Sequence, residues 1–135
     1  MKVMLLYPKW TGVYGIFAHF AKRASTWPPL NLGYLAAVAE KKGHEVKNID
    51  GQVENISLPK IIQETTSFKP DIIGITATTP FYRLAIELAK GLKQLDGKTP
   101  IVIGGPHITL VGEEAFGPFL IMHLLGSRMS LGQCS

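Results

Sequence analysis

Apolar positions along the chain fall into two kinds of run. Val3-Met4-Leu5-Leu6, Asp71-Ile72-Ile73-Gly74-Ile75 and Pro100-Ile101-Val102-Ile103 are short, continuous and rich in branched side chains. Such runs suit strands covered on both faces of a parallel sheet. Glu45-Val46-Lys47-Asn48-Ile49-Asp50 alternates apolar and polar, which predicts a strand with one face less covered. Between these runs the spacing turns helical. Leu32, Leu35, Ala36 and Ala39 share one face, and Gly43 after Lys41-Lys42 marks a helix end. Ser57 is placed to cap a second helix, with Pro59 in its first turn and Leu58, Ile61 and Ile62 facing inward. A third helix runs from about Phe81 to Leu95 on a stripe of Ala85, Leu88, Ala89, Leu92 and Leu95, and Gly97 breaks it.

Strand–helix–strand repetition predicts an α/β fold with right-handed crossovers. We expect a Rossmann-like or flavodoxin-like three-layer fold, its parallel sheet of four or five strands ordered 2-1-3-4(-5). The stretch Phe119-Leu120-Ile121-Met122-His123-Leu124-Leu125 is the candidate fifth strand. The tail from Gly126 to Ser135 reads as an altered or truncated end. A core domain is therefore expected over residues 1–116, with an atypical segment over 117–135. Poor cover of the fourth strand favours a homodimer through an exposed edge. The connection from Tyr7 to Asn31 is long against the roughly 2–6 residues usual for such loops. It carries Trp10, Tyr14, Phe17, His19, Phe20 and Trp27, the composition of a ligand lid or an interaction surface.

With 135 residues the chain has the size of one domain. A net charge of +4 comes from scattered lysines and arginines without an aromatic-laced basic stripe, which argues against nucleic acid. The single cysteine, Cys134, excludes a disulfide framework and a cysteine-held cluster within this chain and fits a reducing cytoplasm. No run has the roughly 18 apolar residues of a membrane span.

In a doubly wound sheet, ligands sit beyond the carboxyl ends of the strands where strand order reverses. The available residues are then Tyr7 and Pro8, Thr76, Thr78 and Thr79, and Gly104, Gly105, Pro106 and His107, with Asp50-Gly51-Gln52 farther off. The threonines supply uncharged donors and acceptors, or else simply cap the next helix. Gly104-Gly105 lets a bulky group lie on bare backbone. No GxGxxG follows the first strand and no Walker sequence occurs, which disfavours dinucleotides and nucleoside triphosphates.

These stretches together, with Pro28-Pro29-Leu30-Asn31-Leu32-Gly33-Tyr34-Leu35-Ala36, Gly43-His44-Glu45-Val46 and Lys69-Pro70-Asp71, resemble the N-terminal cobalamin-binding domain of cobalamin-dependent radical S-adenosylmethionine enzymes. The resemblance implies a corrinoid on the carboxyl edge. Its nucleotide tail would pass between Thr76 with Thr78 and Gly104 with Gly105, so that valine at either glycine blocks the path while the domain still folds. Many cobalamin domains carry Asp-x-His-x-x-Gly after the first strand, whose histidine ligates cobalt. Here Tyr7-Pro8-Lys9-Trp10-Thr11-Gly12 stands instead, as in the radical enzymes. His19 is a remote candidate for cobalt, Trp10 and Trp27 for shielding the corrin. The three-cysteine motif that holds an iron–sulfur cluster and S-adenosylmethionine is absent, so a downstream catalytic domain is the implied partner and the chain alone is non-catalytic. A flavodoxin-like flavin or nucleotide domain, or a scaffold with no bound cofactor, are the alternatives.

Overall fold

The computed structural model describes residues 1–9 and 29–111. Four strands, β1 (Lys2–Tyr7), β2 (Glu45–Asp50), β3 (Ile72–Thr76) and β4 (Ile101–Gly104), alternate with helices α1 (Leu30–Lys41), α2 (Leu58–Phe68) and α3 (Tyr82–Leu95). A 3-10 turn, Thr79–Phe81, leads into α3, and a six-residue helix α4 (Pro106–Val111) follows β4. All strands are parallel and ordered β2-β1-β3-β4, as the alternation of patterns predicts. The candidate fifth strand, the 117–135 segment and the aromatic connection lie outside the described residues.

Register fixes which side chains share a face. Met4, Leu6, Ile73, Ile75, Ile101 and Ile103 point to one side. They pack there with Ile61 of α2 and with Ala85, Leu88, Ala89 and Leu92 of α3. This face carries the main core. The opposite face carries Leu5, Gly74 and Val102 in one row, and α1 covers it chiefly over β2 and β1. Val102 is left 52% exposed.

Several local expectations shift. Leu32 is the one buried residue of α1, while Leu35 is 56% exposed and Ala36 and Ala39 are half-buried. Ser57 stands at the N-cap of α2 but its hydroxyl makes no capping bond; its carbonyl accepts from the Ile61 N–H, and Leu58 is 42% exposed. Asp96, not Gly97, terminates α3. Its backbone turns extended, and its carboxylate accepts from the Lys98 N–H at 2.9 Å and the Thr99 hydroxyl at 2.7 Å. A short side-chain acceptor that captures a following backbone N–H competes with continuation of the helix. Gly43 does close α1 as expected, at φ +82°.

Candidate functional site

The strand order reverses between β1 and β3, so the crevice of this sheet opens at their carboxyl ends. The pairings Tyr7 with Asp50 and Thr76 with Gly104, joined through Leu6 with Ile75, set Asp50, Tyr7, Thr76 and Gly104 in one row across that edge. Hydrogen bonds bind the loops after β3 and β4 together. The Ala77 N–H donates to the Gly104 carbonyl at 2.8 Å, and the His107 N–H to the Ala77 carbonyl at 3.4 Å.

The three threonines have different environments. Thr76 is buried, and its Oγ1 accepts from Asn31 Nδ2 at 2.7 Å, which ties the first turn of α1 to the end of β3. Thr79 Oγ1 lies 3.2 Å from His107 Nδ1, and the His107 ring rests on Tyr82 with centroids 4.3 Å apart. Thr78 occupies the cap position of the 3-10 turn without capping it; its hydroxyl is shut off from solvent and has no partner among the described residues. An orphaned buried hydroxyl costs stability unless something completes it.

The two glycines also differ. A Cβ on Gly104 would meet nothing within 4 Å among the described residues. A Cβ on Gly105 would stand 2.7 Å from the Ala77 carbonyl oxygen and 2.9 Å from Thr76 Oγ1, at a φ of +111°. Gly105 is thus required by the chain's own packing, and the expectation that valine at either position leaves the domain folded fails for Gly105.

Beside Gly104 a cleft of about 110 Å³ lies between α1 and the sheet. Asn31, Leu32 and Leu35 form its helix wall. Leu5, Gly74, Thr76, Val102 and Gly104 form its floor and far side. Gly74 gives the floor its depth, for a Cβ there would stand 2.9 Å from the Leu5 side chain. Among the described residues the lining carries no charge. Pro8 lies elsewhere, buried in a cleft of about 240 Å³ on the other face with Ile56, Leu58, Ile61 and Leu88. Tyr7 stays at the edge. Burial, and then the Asp50 carboxylate, push its phenol above the usual range, so it remains a neutral hydrogen-bonding group. Asp50 is engaged in its own turn, accepting from the Gln52 and Val53 N–H groups. Pro106 is exposed at the start of α4.

A larger cleft of about 380 Å³ opens at the opposite, amino end of β3 and β4, among Thr65, Thr66, Pro70, Leu92 and Asp96. Its threonine hydroxyls are engaged. The Thr65 hydroxyl donates to the Ile61 carbonyl, that of Thr66 to the Ile62 carbonyl, and that of Thr99 to Asp96. Among the described residues, the Thr78 hydroxyl without a partner and the open Gly104 are both at the carboxyl edge.

Asn31, Leu5, Gly74 and Val102 were not among the residues that strand-end reasoning singles out. Three of them, Leu5, Gly74 and Val102, sit inside strands, where only the register shows that they share a row.

The residues present fit a corrinoid. A large, mostly uncharged ligand with a flat tail needs bare backbone, uncharged hydroxyls and an apolar slot, and this edge offers all three. Comparison with known proteins agrees. Residues 18–122 match the family described as B12 binding domain. The chain is 42% identical over 89 residues to an uncharacterized methyltransferase of Pyrococcus horikoshii, covering 66% of this chain and 19% of that protein. It is 29% identical over 112 residues to the anaerobic magnesium-protoporphyrin IX monomethyl ester cyclase of Rubrivivax gelatinosus, covering 82% of this chain and 19% of the cyclase. It is 34% identical over 126 residues to the cytidylyl-2-hydroxyethylphosphonate methyltransferase of Streptomyces wedmorensis, covering 78% and 22%. The chain thus spans about a fifth of the length of these relatives. No solved structure gives a significant match. The fold, the open carboxyl edge and the extent of the family match together make this chain a member of the B12-binding domain family.

Proposed function

We propose that the domain holds a corrinoid over the carboxyl ends of β1, β3 and β4, with the nucleotide tail in the cleft between α1 and the sheet, and that it serves a cobalamin-dependent radical S-adenosylmethionine enzyme. The observation that carries the reading is the coincidence at one edge of an open Gly104, a partnerless Thr78 hydroxyl and an apolar cleft. On this reading Gly104 and Gly74 leave space for the tail, Thr78 completes its hydrogen bonding on the ligand, and Asn31 with Thr76 closes the mouth. Thr79 and Tyr82 fix the His107 ring at the rim, where it contacts either the corrin amides or an adjoining domain. Gly105 and Pro106 shape the turn that carries it. Tyr7 is a neutral donor at the same rim, and Pro8 supports the strand end from behind. A bound corrinoid supplies a cobalt centre that carries a methyl group or initiates radical chemistry. The protein's part is to bind, orient and shield it.

The radical chemistry rests on the kinship with the cyclase and the methyltransferases and belongs to a domain beyond residues 1–116. An iron–sulfur cluster and S-adenosylmethionine would be held there, and substrate choice would reside there. The family match favours the corrinoid over the flavin alternative. A cytoplasmic setting suits such a cofactor, and no helix among the described residues is long and apolar enough to cross a membrane. Edge pairing of β4 into a homodimer is the expected mode of self-association, and a strictly monomeric mass by light scattering would remove it.

Mixing the protein with hydroxocobalamin and desalting tests the binding claim. Corrin absorbance that co-elutes with protein supports it; a colourless protein refutes it. A Cys-x-x-x-Cys-x-x-Cys motif in the same or an adjacent gene supports the catalytic assignment, and its absence from both would refute it.

A further inference from the structure

The cleft of about 380 Å³ at the amino ends of β3 and β4 lies remote from the proposed corrinoid seat, which makes no use of it. Its volume falls in the range of small-ligand pockets, about 300–1,000 Å³. Crossover helices run back against the strands of a parallel sheet, so α2 and α3 both end where β3 and β4 begin. The walls are therefore the last turns of two helices and the residues that follow them.

The floor is apolar. Ile73 and Ile101 are register partners on adjacent strands, and Leu92 of α3 joins them; each is at most 3% exposed. Leu95 also lines the cleft and is left 45% exposed. A branched hydrocarbon group entering here gains contact with all four and removes Leu95 from water.

The walls carry one charge of each sign. Lys69 follows α2 and Asp96 follows α3. The Lys69 N–H donates to the Thr65 carbonyl, while its ammonium is in no ion pair among the described residues. Asp96 accepts the Lys98 N–H on one carboxylate oxygen and the Thr99 hydroxyl on the other, which leaves each oxygen a further lone pair. The neighbouring Lys93 ammonium donates to the Gly97 and Thr99 carbonyls at 3.3 and 2.7 Å. The carboxyl-terminal ends of α2 and α3, negative in the helix dipole, add to the attraction for a cation at this end of the sheet.

We propose that this cleft is a second small-molecule site of the domain, and that it takes an α-amino acid with a branched apolar side chain. The ligand's ammonium lies against Asp96, its carboxylate against Lys69, and its side chain on Ile73, Leu92 and Ile101.

Titration of the protein with L-leucine, followed by NMR of its amide and methyl signals, tests the proposal. Leucine is expected to saturate with a dissociation constant on the order of 1 mM, since one buried branch and two solvent-screened ion pairs contribute modestly. The shifts should fall on Ile73, Leu92, Leu95 and Ile101 and spare Gly104 at the other end. Glycine, which lacks the branch, is expected to move none of them over the same range. 4-Methylpentanoate lacks the ammonium and 3-methylbutylamine the carboxylate; each is expected to bind several-fold more weakly than leucine. Lys69 sits at a φ of +53°, a conformation asparagine tolerates. Lys69→Asn should therefore keep the turn, lower the leucine affinity to that of the amine, and leave the amine no weaker. Asp96→Asn keeps an oxygen for the Lys98 N–H and should lower the leucine affinity to that of 4-methylpentanoate. Absence of saturable shifts at these residues, binding of glycine or of either singly charged analogue as tight as that of leucine, or a leucine affinity unchanged in Lys69→Asn or in folded Asp96→Asn would overturn the proposal. No corrinoid enters the titration, so the result is independent of the corrinoid reading.

Discussion

At the residue scale the adjacent glycines make different predictions. Gly104 has no described neighbour where a Cβ would stand, so Gly104→Val should unfold at nearly the same denaturant concentration as the unaltered protein and yet lose corrinoid retention. Gly105→Ala places a methyl 2.7 Å from a backbone oxygen at a positive φ and should cost about 1–3 kcal/mol in urea unfolding, with or without corrinoid. If Gly105→Ala unfolds normally, the close approach of the β4 turn to Ala77 is wrong. Both glycines and all three threonines were legible as residue types, because strand ends in this fold face ligands whatever else they do. Their separate roles were not legible. Whether a hydroxyl is satisfied depends on a partner such as Asn31, 45 positions away from Thr76, and no local pattern encodes that pairing.

At the scale of elements, the sheet and α3 follow directly from the pattern, since continuous branched runs and a clean apolar stripe each have one favourable burial. The stripe of α3 is buried through Ala85, Leu88, Ala89 and Leu92, so Leu88→Ala should destabilise the domain by about 2–5 kcal/mol in denaturant unfolding. A loss under 1 kcal/mol would contradict the core packed between the sheet, α2 and α3. Helix α1 is the element the pattern misjudges. Its residues are apolar on nearly every side, so periodicity cannot say which face meets the sheet, and Leu32 alone is buried. With so little packing, the bond from Asn31 to Thr76 matters more. Asn31→Ala should lower stability by about 1 kcal/mol and raise amide exchange across α1 while leaving β3 protected. Unchanged exchange in α1 would show that the bond does not hold the helix.

For the whole molecule, acid tests the electrostatics of the surface. Hydrogen bonds from Lys47 and then Lys60 hold the Glu64 carboxyl below its usual 4.5, and the Thr99 hydroxyl and then the Lys98 N–H hold Asp96 below 3.8. A carboxyl with a lowered folded value stabilises the fold above its unfolded value, and that contribution disappears as pH falls through the lowered one. The melting temperature should therefore decline on acidification below about pH 4.5, and Glu64→Gln should shallow the decline. Asp96 is exposed and the Glu64 side chain keeps 26% of its surface in solvent, so the effect is small and should shrink further in high salt. An identical acid profile for Glu64→Gln would remove Glu64 from the account.

The central claim is that the carboxyl edge of this sheet is a corrinoid seat entered past Gly104. Its most direct test is a hydroxocobalamin titration of the unaltered chain beside Gly104→Val, with a thermal melt of each as control for folding. The account predicts saturable corrin binding by the first protein, its loss in the second, and superimposable melts without ligand. Equal binding by two equally folded proteins would contradict it.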